Sequence, residues 1–314
     1  MRLFTFLRFM RQITRKKPAD LDWIQNQGLI AVKLAQIFAL RPDLLGEEKC
    51  QQLQQLYQHA ASIPSESLDE TLKLKAIENF TDHFESIEQE PLAAASVGQV
   101  HRAKLKTGEQ VIIKFVKQAN SKVFSKQVKR MRNWLKVIVL FSPRLRKVGN
   151  PIALINHVAD YTLRELDLTN EIKGAGELMK IQSDISKNFP TPLLRFPKYY
   201  PDISNENVLV SEFIDGESLE EGINDKSLSW DKLLELFRIH GAYLFGIGTF
   251  HGDLHPGNCI IDKEGKFVFI DNAAVCHAPK NVSKSLFVFF DNLSQQKLDE
   301  AFIALLEMTD RHPS

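Results

Sequence analysis

Three side chains whose oxygen atoms can bind a metal ion lie at a characteristic spacing in the C-terminal part of the sequence. Asp253 lies in the string His-Gly-Asp-Leu-His-Pro-Gly-Asn, Asn258 follows five positions later, and Asp271 follows eighteen positions after Asp253. Mg²⁺ prefers a few carboxylate and amide oxygens and takes further ligands from phosphate. The spacing therefore predicts phosphoryl transfer, with Asn258 and Asp271 as the metal ligands. The structural alternative is a turn-rich loop between a helix and a strand.

Protein kinases use the same Asp-to-Asn spacing in their catalytic loop, and a later Asp after a strand holds the metal ion that bridges the phosphates. By this pattern Asp253 positions a substrate hydroxyl or a water molecule. His251 and His255 lie beside it and could suggest a metal site, but no cysteine or third histidine supports zinc. We interpret His251 as a structural residue of the loop.

Residues 93–115 contain a loop and a strand suited to the phosphates of a nucleotide. Against the kinase pattern Gly-x-Gly-x-x-Gly-x-Val, the loop keeps Gly98 and Val100 but has Ala93 and Ala95 in place of the first two glycines. Lys114 follows in an apolar strand and is expected to contact phosphates. A lone strand lysine is usually a solvated edge residue, but its place after this loop favours the functional interpretation. The predicted nucleotide-binding residues here are Ala93, Ala94, Ala95, Ser96, Gly98, Val100 and Lys114.

An acidic helix and an apolar strand separate these two segments. The helix is predicted from about Ile152 to Ile181, and a kinase requires a helix glutamate that pairs with the strand lysine. We predict Glu171 for that role, with Glu165 second, although an acidic helix face is more often only solvated. The strand Val208–Phe213 then predicts the hinge, where backbone groups of Glu212 to Ile214 would contact an adenine.

The composition is that of an ordinary globular protein. A length of 314 residues suggests about two domains, and 44% hydrophobic with 25% charged residues describes a globular protein. The net charge of +1 gives no support for nucleic-acid binding. Three scattered cysteines favour a reducing, cytoplasmic compartment over a disulfide scaffold. No apolar run approaches the length of a membrane span.

The first seventeen residues predict a basic amphipathic helix. The apolar face is expected to carry Leu3, Phe6, Leu7, Met10 and Ile13, and the basic face Arg2, Arg8, Arg11 and Arg15. Such a helix could lie in the head-group region of an anionic membrane, which would make the protein peripheral there. It could equally dock on the globular body, so both interpretations stay open. Arginines within the apolar part argue against a secretory signal.

From Asp22 to about Phe80, apolar residues recur at a period near 3.6, which predicts helices. Lys33 and Gln36 lie on the same face of one turn. A solvated pair on a surface helix is the default interpretation of two such residues. Pro42 disfavours helical angles at Arg41 and ends this helix.

Together these motifs resemble the UbiB/AarF/ADCK family of atypical protein-kinase-like proteins. The resemblance covers roughly residues 22–275 and is carried by Lys33-Leu34-Ala35-Gln36, Arg41-Pro42-Asp43, Ala93–Ser96, Glu165-Leu166-Asp167 with Asn170-Glu171, His251–Asn258, and Asp271. It implies an α+β class and a two-lobed protein-kinase-like fold with an N-terminal helical extension. We divide the chain into a basic helix (1–20), a helical extension (21–85), a kinase-like N-lobe (86–211) and a truncated C-lobe (212–314).

The resemblance also implies a function. In that family the Lys-x-Gly-Gln helix and the Glu-x-Asp segment meet across the cleft and block the space that a protein substrate would need. Lys33, Gln36, Glu165 and Asp167 are therefore expected to gate the cleft. Members are ATPases or kinases linked to ubiquinone or other isoprenoid-quinone synthesis at membranes. The expected ligands are ATP or ADP with Mg²⁺, and the expected partner is an anionic membrane surface or an isoprenoid lipid.

Three departures from the family pattern matter, and the last of them, the lack of an activation segment, disfavours phosphorylation of a docked protein. Ala35 replaces a glycine, Asp271-Asn272-Ala273 stands for Asp-Phe-Gly, and the 43 residues after Asp271 contain no Ala-Pro-Glu motif. Two alternatives stay open. A small-molecule kinase of the aminoglycoside or choline type shares the His251–Asn258 string but has no role for the Lys33–Asp43 block. A catalytically silent nucleotide-binding regulator would retain the same charged residues.

Overall fold

The computed structural model describes residues 3–15, 17–58, 68–94, 98–117, 121–141 and 151–308. The chain divides into two compact units. Unit 1 comprises Met1–Thr169 and Tyr199–Phe213, and unit 2 comprises Asn170–Lys198 and Ile214–Ser314. Both units combine helices with sheets, so the predicted α+β class is confirmed.

The elements of the described part of the chain are numbered in chain order. The helices are α1 (Leu3–Thr14), α2 (Leu21–Asn26), α3 (Leu29–Ala39), α4 (Pro42–Leu45), α5 (Glu47–Gln58), α6 (Leu68–Lys75), α7 (Ser121–Phe141), α8 (Pro151–Glu165), α9 (Thr169–Ile185), α10 (Leu219–Asn224), α11 (Trp230–Gly246), α12 (Lys280–Ser294) and α13 (Leu298–Leu306). The strands are β1 (Phe84–Ile87), β2 (Ala93–Ala94), β3 (Gly98–Leu105), β4 (Gln110–Val116), β5 (Leu194–Arg195), β6 (Val208–Glu212), β7 (Gly216–Ser218), β8 (Thr249–His251), β9 (Cys259–Asp262), β10 (Phe267–Phe269) and β11 (Val275–His277). Three 3₁₀ turns cover Phe80–His83, Pro201–Ile203 and Pro256–Asn258.

Helices α2 to α6 occupy the stretch that the sequence predicts to be helical. Their ends follow from local chemistry. The Asp20 carboxylate caps α2 by accepting the Trp23 N–H at 2.9 Å. Helix α3 ends before Arg41, as predicted, because Pro42 at the start of α4 excludes helical angles there.

Helix α1 docks on unit 1 by one apolar face. Phe6, Phe9 and Ile13 are 2%, 0% and 0% exposed, so they belong to the core. The predicted apolar face is partly wrong, because Leu7 is 46% exposed while Phe9 takes a buried position. Several faces of this helix carry large apolar residues, and tertiary packing selects one of them. No helix in the described part of the chain is both long and apolar enough to span a bilayer.

The sheet of unit 1 is antiparallel, with strand order β1-β3-β4-β6 and with β2 pairing β3. Residues alternate between its faces with the period of two that strands impose. Val111, Ile113 and Phe115 of β4 are buried on one face in a core that also contains Leu68 and Leu72 of α6. The intervening residues of β4 point to the opposite face, which therefore carries Lys114.

The acidic helix predicted over residues 152–181 is two helices, which corrects that expectation. Helix α8 ends at Glu165, and α9 starts at Thr169. The Asp167 carboxylate accepts the Thr169 N–H at 3.1 Å and the Thr169 hydroxyl at 2.7 Å. A short side chain that accepts from the backbone two residues on caps a new helix and competes with continuation of the old one.

Unit 2 contains two small sheets and five helices in its described part. The four-stranded sheet has the order β5-β10-β9-β7, and β8 pairs β11 separately. Ser218 and Glu221 form a reciprocal capping box at α10, and Ser229 caps α11. The Tyr243 hydroxyl of α11 donates to the Leu178 carbonyl of α9 at 2.9 Å, and burial raises the pKa of this tyrosine.

Replacing Phe9 with Ala tests the docking of α1. The side chain is fully buried, so its removal should lower the free energy of unfolding by about 3–5 kcal/mol in urea denaturation. Phe4, on the same helix and 84% exposed, provides the control, and Phe4→Ala should change it by less than about 0.5 kcal/mol. Equal effects of the two substitutions would contradict the docked face.

Candidate active site

The loop that carries Asp253 is fixed by its neighbouring strands in unit 2. Strand β8 leads into it and pairs β11 with His251 opposite Val275. The Gly252 N–H donates to the Ala274 carbonyl at 2.6 Å, which continues this pairing into the loop. The Asp253 N–H then donates to Nδ1 of His251 at 3.2 Å. The Ala274 carbonyl and the His251 ring thus hold the backbone of Gly252 and Asp253.

Asn258 joins the start of the loop to its end. Its side chain is 8% exposed, and its Nδ2 donates to the Asp253 carbonyl at 3.0 Å. Its own carbonyl accepts the Ile270 N–H at 3.0 Å, directly before Asp271. The structure therefore joins the loop of Asp253 and Asn258 to the residue that precedes Asp271. Because the amide nitrogen of Asn258 is engaged, its oxygen is the atom that suits a metal ion.

Asp271 has an uncommon backbone conformation. Its φ of +59° lies in the left-handed region, which L residues rarely adopt. The next residue, Asn272, is fully buried, and its Nδ2 donates to the Phe269 carbonyl at 2.8 Å. At the position where the kinase motif has phenylalanine, Asn272 thus anchors the turn by a hydrogen bond.

Helix α9 packs against this turn through Gly174. A Cβ added at Gly174 would lie 1.9 Å from the Asn272 carbonyl oxygen and 3.1 Å from Cγ2 of Val275. Glu171, one helical turn earlier, is 5% exposed and lies on the same buried face as Gly174 and Leu178. The predicted lysine partner is therefore placed on the helix face that supports the Asp271 turn.

Gly174 was missed in the sequence. A glycine inside a helix costs about 1 kcal/mol relative to alanine, so its presence there usually has a packing reason. This unfavourable free energy is the feature of the sequence that could have identified Gly174. It does not show which surface Gly174 contacts, because that surface lies about a hundred residues further along the chain.

The buried side chain of His251 supports the loop that carries Asp253. Its ring is 3% exposed and meets the ring of Phe269 edge-on, with centroids 5.6 Å apart. Burial lowers the pKa of His251, and the nearby carboxylates of Asp271 and Asp253 oppose this effect without reversing it. A neutral ring can accept the Asp253 N–H through Nδ1, which agrees with a structural role.

The candidate phosphate-binding residues lie in unit 1. Lys114 is half-buried on β4, between Val100 of β3 and Leu209 of β6. Ala93 pairs with Val100, and Ala94 pairs with Gln99. A Cβ added at Gly98 would lie 3.1 Å from the Phe115 carbonyl oxygen, a close but not prohibitive contact. Ala95 and Ser96 lie outside the described residues.

A buried polar pair on the other face of β3 was also missed. Gln99 and His101 are 1% and 0% exposed, and their Nε2 atoms lie 2.8 Å apart. Nδ1 of His101 lies 2.8 Å from the Glu88 carbonyl, which can only accept, so the ring proton belongs on Nδ1. The pair therefore ties the segment before β2 to the strand that follows the alanine-rich loop.

Lys33 and Glu165 form an ion pair within unit 1. The Lys33 Nζ lies 2.6 Å from Oε2 and 2.9 Å from Oε1 of Glu165, with the side chains 13% and 19% exposed. Gln36 is 5% exposed and donates to the Leu56 carbonyl at 3.1 Å. The structure thus joins the two segments that the resemblance relates, while Asp167 caps α9.

The predicted hinge residues fall where the chain passes from one unit to the other. Glu212 ends β6 in unit 1, and Ile214 is buried in unit 2. The intervening Phe213 donates its N–H to the Gln110 carbonyl of β4 at 3.1 Å. The role of their backbone groups toward an adenine stays a prediction.

The oxygen donors of the loop fit one kind of metal ion. The described residues contain no group of three or more His, Cys, Asp or Glu side chains arranged to hold a metal. Asp271 and Asn258 offer one carboxylate and one amide oxygen. Such a sparse, hard donor set suits Mg²⁺, which takes its remaining ligands from phosphate and water. This donor set does not suit a metal ion whose ligands must all come from protein side chains.

The fold and the arrangement of the loop define an atypical kinase-like protein. The chain belongs to the ABC1 atypical kinase-like family, whose domain model matches residues 55–302. The predicted UbiB-type relationship and kinase-like fold are both confirmed.

Several proteins are similar to this chain. The probable protein kinase UbiB of Pseudomonas fluorescens is 29% identical over 300 residues, which cover 88% of this chain and 54% of that protein. UbiB of Pseudomonas aeruginosa is 30% identical over 245 residues, 76% of this chain and 44% of that protein. The chain therefore spans about half the length of the curated relatives it matches.

A solved structure shares the fold. The Mycobacterium tuberculosis protein Rv3197, determined in complex with erythromycin, matches with a TM-score of 0.59 and 23% identity. The match covers 90% of this chain and 70% of that one.

Two glycines of α9 test the support of the Asp271 turn. Gly174→Ala forces the helix or the turn to shift and should lower the free energy of unfolding by about 1–3 kcal/mol. Gly176 has open space around its added Cβ, so Gly176→Ala should raise the same free energy by about 0.5–1 kcal/mol. Denaturant unfolding of both variants measures this difference. Stabilisation by both would show that the turn does not need this approach.

Proposed function

We propose that the protein is an ATP-dependent phosphotransferase or ATPase of the UbiB type, which acts on ubiquinone or other isoprenoid-lipid metabolism at a membrane surface. One observation carries the proposal. Asp253 and Asn258 lie in one loop, held by the bonds from the Asp253 N–H to His251 and from the Asn258 side chain to the Asp253 carbonyl, and the Ile270 N–H bonds to the Asn258 carbonyl directly before Asp271. Membership of the ABC1 family supports chemistry of the kinase type.

Each residue has a distinct role in this proposal. Bound Mg²⁺ supplies positive charge to the phosphates of the nucleotide. The Asp271 carboxylate and the Asn258 amide oxygen hold the ion, and Asp253 orients water or an acceptor hydroxyl. Lys114 binds phosphate oxygens, and Glu171 is proposed as the residue that orients its ammonium group.

The Lys33–Glu165 pair favours the UbiB type over a small-molecule kinase. The aminoglycoside or choline type shares the His251–Asn258 string but has no use for the Lys33 helix. Here Lys33 is engaged in a largely buried ion pair, and Gln36 is anchored to the Leu56 carbonyl. Both residues therefore have structural partners that keep the helix in place, as a cleft gate would require.

Two carboxylate substitutions test the proposed chemistry. Asp271→Asn should lower kcat/KM for ATP hydrolysis about 100-fold or more, since a metal ligand stabilises the transition state by several kcal/mol. Asp253→Asn should lower kcat by a similar factor while the dissociation constant of Mg-ATP changes less than about threefold, since orientation is lost and binding is kept. Asp299→Asn, on the exposed face of α13, is the control and should match the parent protein.

The same assay decides between the alternatives. Turnover that is unchanged in Asp271→Asn would contradict the proposal. Nucleotide binding without turnover in the parent would indicate a silent regulator. Transfer of phosphate to an aminoglycoside or to choline would indicate a small-molecule kinase.

The exposed face of α1 supports membrane contact. Docking of Phe6, Phe9 and Ile13 leaves Phe4 and Leu7 exposed. The same solvent-facing side carries the exposed residues Arg8, Arg11 and Arg15. Aromatic and basic side chains on one helix face are typical of peripheral helices on anionic lipid.

A vesicle experiment tests this face. Each arginine near an anionic surface contributes about 1 kcal/mol, so Arg11→Gln/Arg15→Gln should weaken co-sedimentation with phosphatidylglycerol vesicles at least about tenfold. Lys73→Gln/Lys226→Gln removes the same charge from exposed positions elsewhere and should leave binding unchanged. Equal losses in both variants would indicate only a net-charge effect, and phosphatidylcholine vesicles report binding without that charge.

A further inference from the structure

Unit 2 contains an open groove of about 980 Å³ whose lining includes none of the residues proposed for catalysis. It lies between α11, the first two turns of α12 and the segment 188–191. Its volume lies at the upper end of the range of small-ligand sites, about 300–1,000 Å³. The groove is therefore large enough for a small molecule.

Small residues on α11 keep the groove open. Gly241, Ala242 and Gly246 all line it. A Cβ added at Gly241 would meet only the ring of Phe245, at 3.6 Å, and one at Gly246 would have its nearest neighbours at 3.9 Å. Both glycines thus leave room that larger side chains would fill, although glycine is unfavourable inside a helix.

Aromatic rings form the apolar part of the lining. Phe245 meets Phe287 edge-on with centroids 5.4 Å apart. Phe189, Ile247 and Phe287 are 53%, 49% and 54% exposed, so much of their apolar surface faces solvent. A hydrocarbon that covered them would gain about 25 cal/mol for each Å² removed from water.

The charged part of the lining is cationic. Arg238, Lys280 and Lys284 line the groove together with one carboxylate, Glu235, which already pairs with Arg238 at 3.6 Å. Lys280 and Lys284 take no part in the ion pairs found among the described residues. They stand on the first two turns of α12, where Pro279 provides no side-chain cap and the helix dipole adds positive potential near Lys280.

We infer that the groove binds a small anionic amphiphile, a hydrocarbon chain that ends in one carboxylate or phosphate. The chain covers Phe189, Phe245 and Phe287. The head group lies at the start of α12 and pairs with Lys280 and Lys284. A cationic amphiphile of equal length would face these lysines with the wrong charge. The inference does not depend on the proposed phosphotransferase activity, because it uses neither the catalytic loop nor a nucleotide.

Calorimetric titration of the full chain with dodecyl phosphate, below its micellar concentration, tests the binding. One molecule should bind per chain, at least about tenfold tighter than dodecyltrimethylammonium or inorganic phosphate. Lys280→Gln/Lys284→Gln should weaken dodecyl phosphate at least about tenfold and should leave the weaker binding of dodecan-1-ol unchanged. Equal affinity for the two charged amphiphiles, or for inorganic phosphate and dodecyl phosphate, would overturn the inference.

A groove-filling variant tests the location. Gly241→Leu should weaken dodecyl phosphate at least about tenfold, because the added side chain enters the groove. Gly176→Leu on α9 is the matched control, since its glycine is exposed and has no atom near its added Cβ, and it should bind like the parent. Thermal unfolding without ligand confirms that each variant is folded. If Gly241→Leu misfolds, Phe287→Ala serves in its place, with the same expected loss.

Three outcomes would overturn the location. Dodecyl phosphate could bind Gly241→Leu and Phe287→Ala as tightly as the parent. It could fail to bind the parent at all. Sedimentation could instead show that the parent self-associates and that Gly241→Leu does not, which would assign the groove to a second copy of the chain.

Discussion

The approach of α9 to the Asn272 carbonyl is the contact on which the candidate site depends. Only glycine at position 174 permits it, because a Cβ there would overlap the oxygen at 1.9 Å. The adjacent Asp271 has a left-handed backbone that costs of order 1–3 kcal/mol. Packing by α9 and the buried hydrogen bond of Asn272 offset that cost and support this backbone conformation. A turn held in this way would reduce the reorganisation that the proposed metal ion requires of Asp271.

The sequence places Asp253 and Asn258 together because these two residue types stand at short spacing, and the chemistry assigned to them stays a prediction. Asp253 and Asn258 are five residues apart, and a single side-chain hydrogen bond joins them. The contact between Gly174 and Asn272 joins segments about a hundred residues apart, and no local pattern records it. Asn272 takes the place of an aromatic residue of the kinase motif, and its residue type alone does not show that its side chain is buried and donates to the Phe269 carbonyl.

Local sequence patterns also gave wrong predictions where more than one structure is compatible with the same pattern. Helix α1 has large apolar residues on more than one side, so periodicity alone could not choose between Leu7 and Phe9. The acidic stretch fits one long helix as well as two, and the Asp167 cap decides for two. By contrast, the strand around Lys114 was predicted well because its alternation matches the burial of β4.

Helix α11 connects the groove to the loop that carries Asp253. Its last turn lines the groove, and two residues later β8 begins and leads to His251. Gly248 makes this short connection, with φ at +83° and a Cβ position 3.0 Å from the Ala278 carbonyl. Its own carbonyl accepts the Ala278 N–H at 2.7 Å, which starts the pairing of β8 with β11. A change of backbone conformation at Gly248 would therefore alter both the end of the groove and the pairing of β8 with β11. Any residue with a Cβ at this position should disturb both.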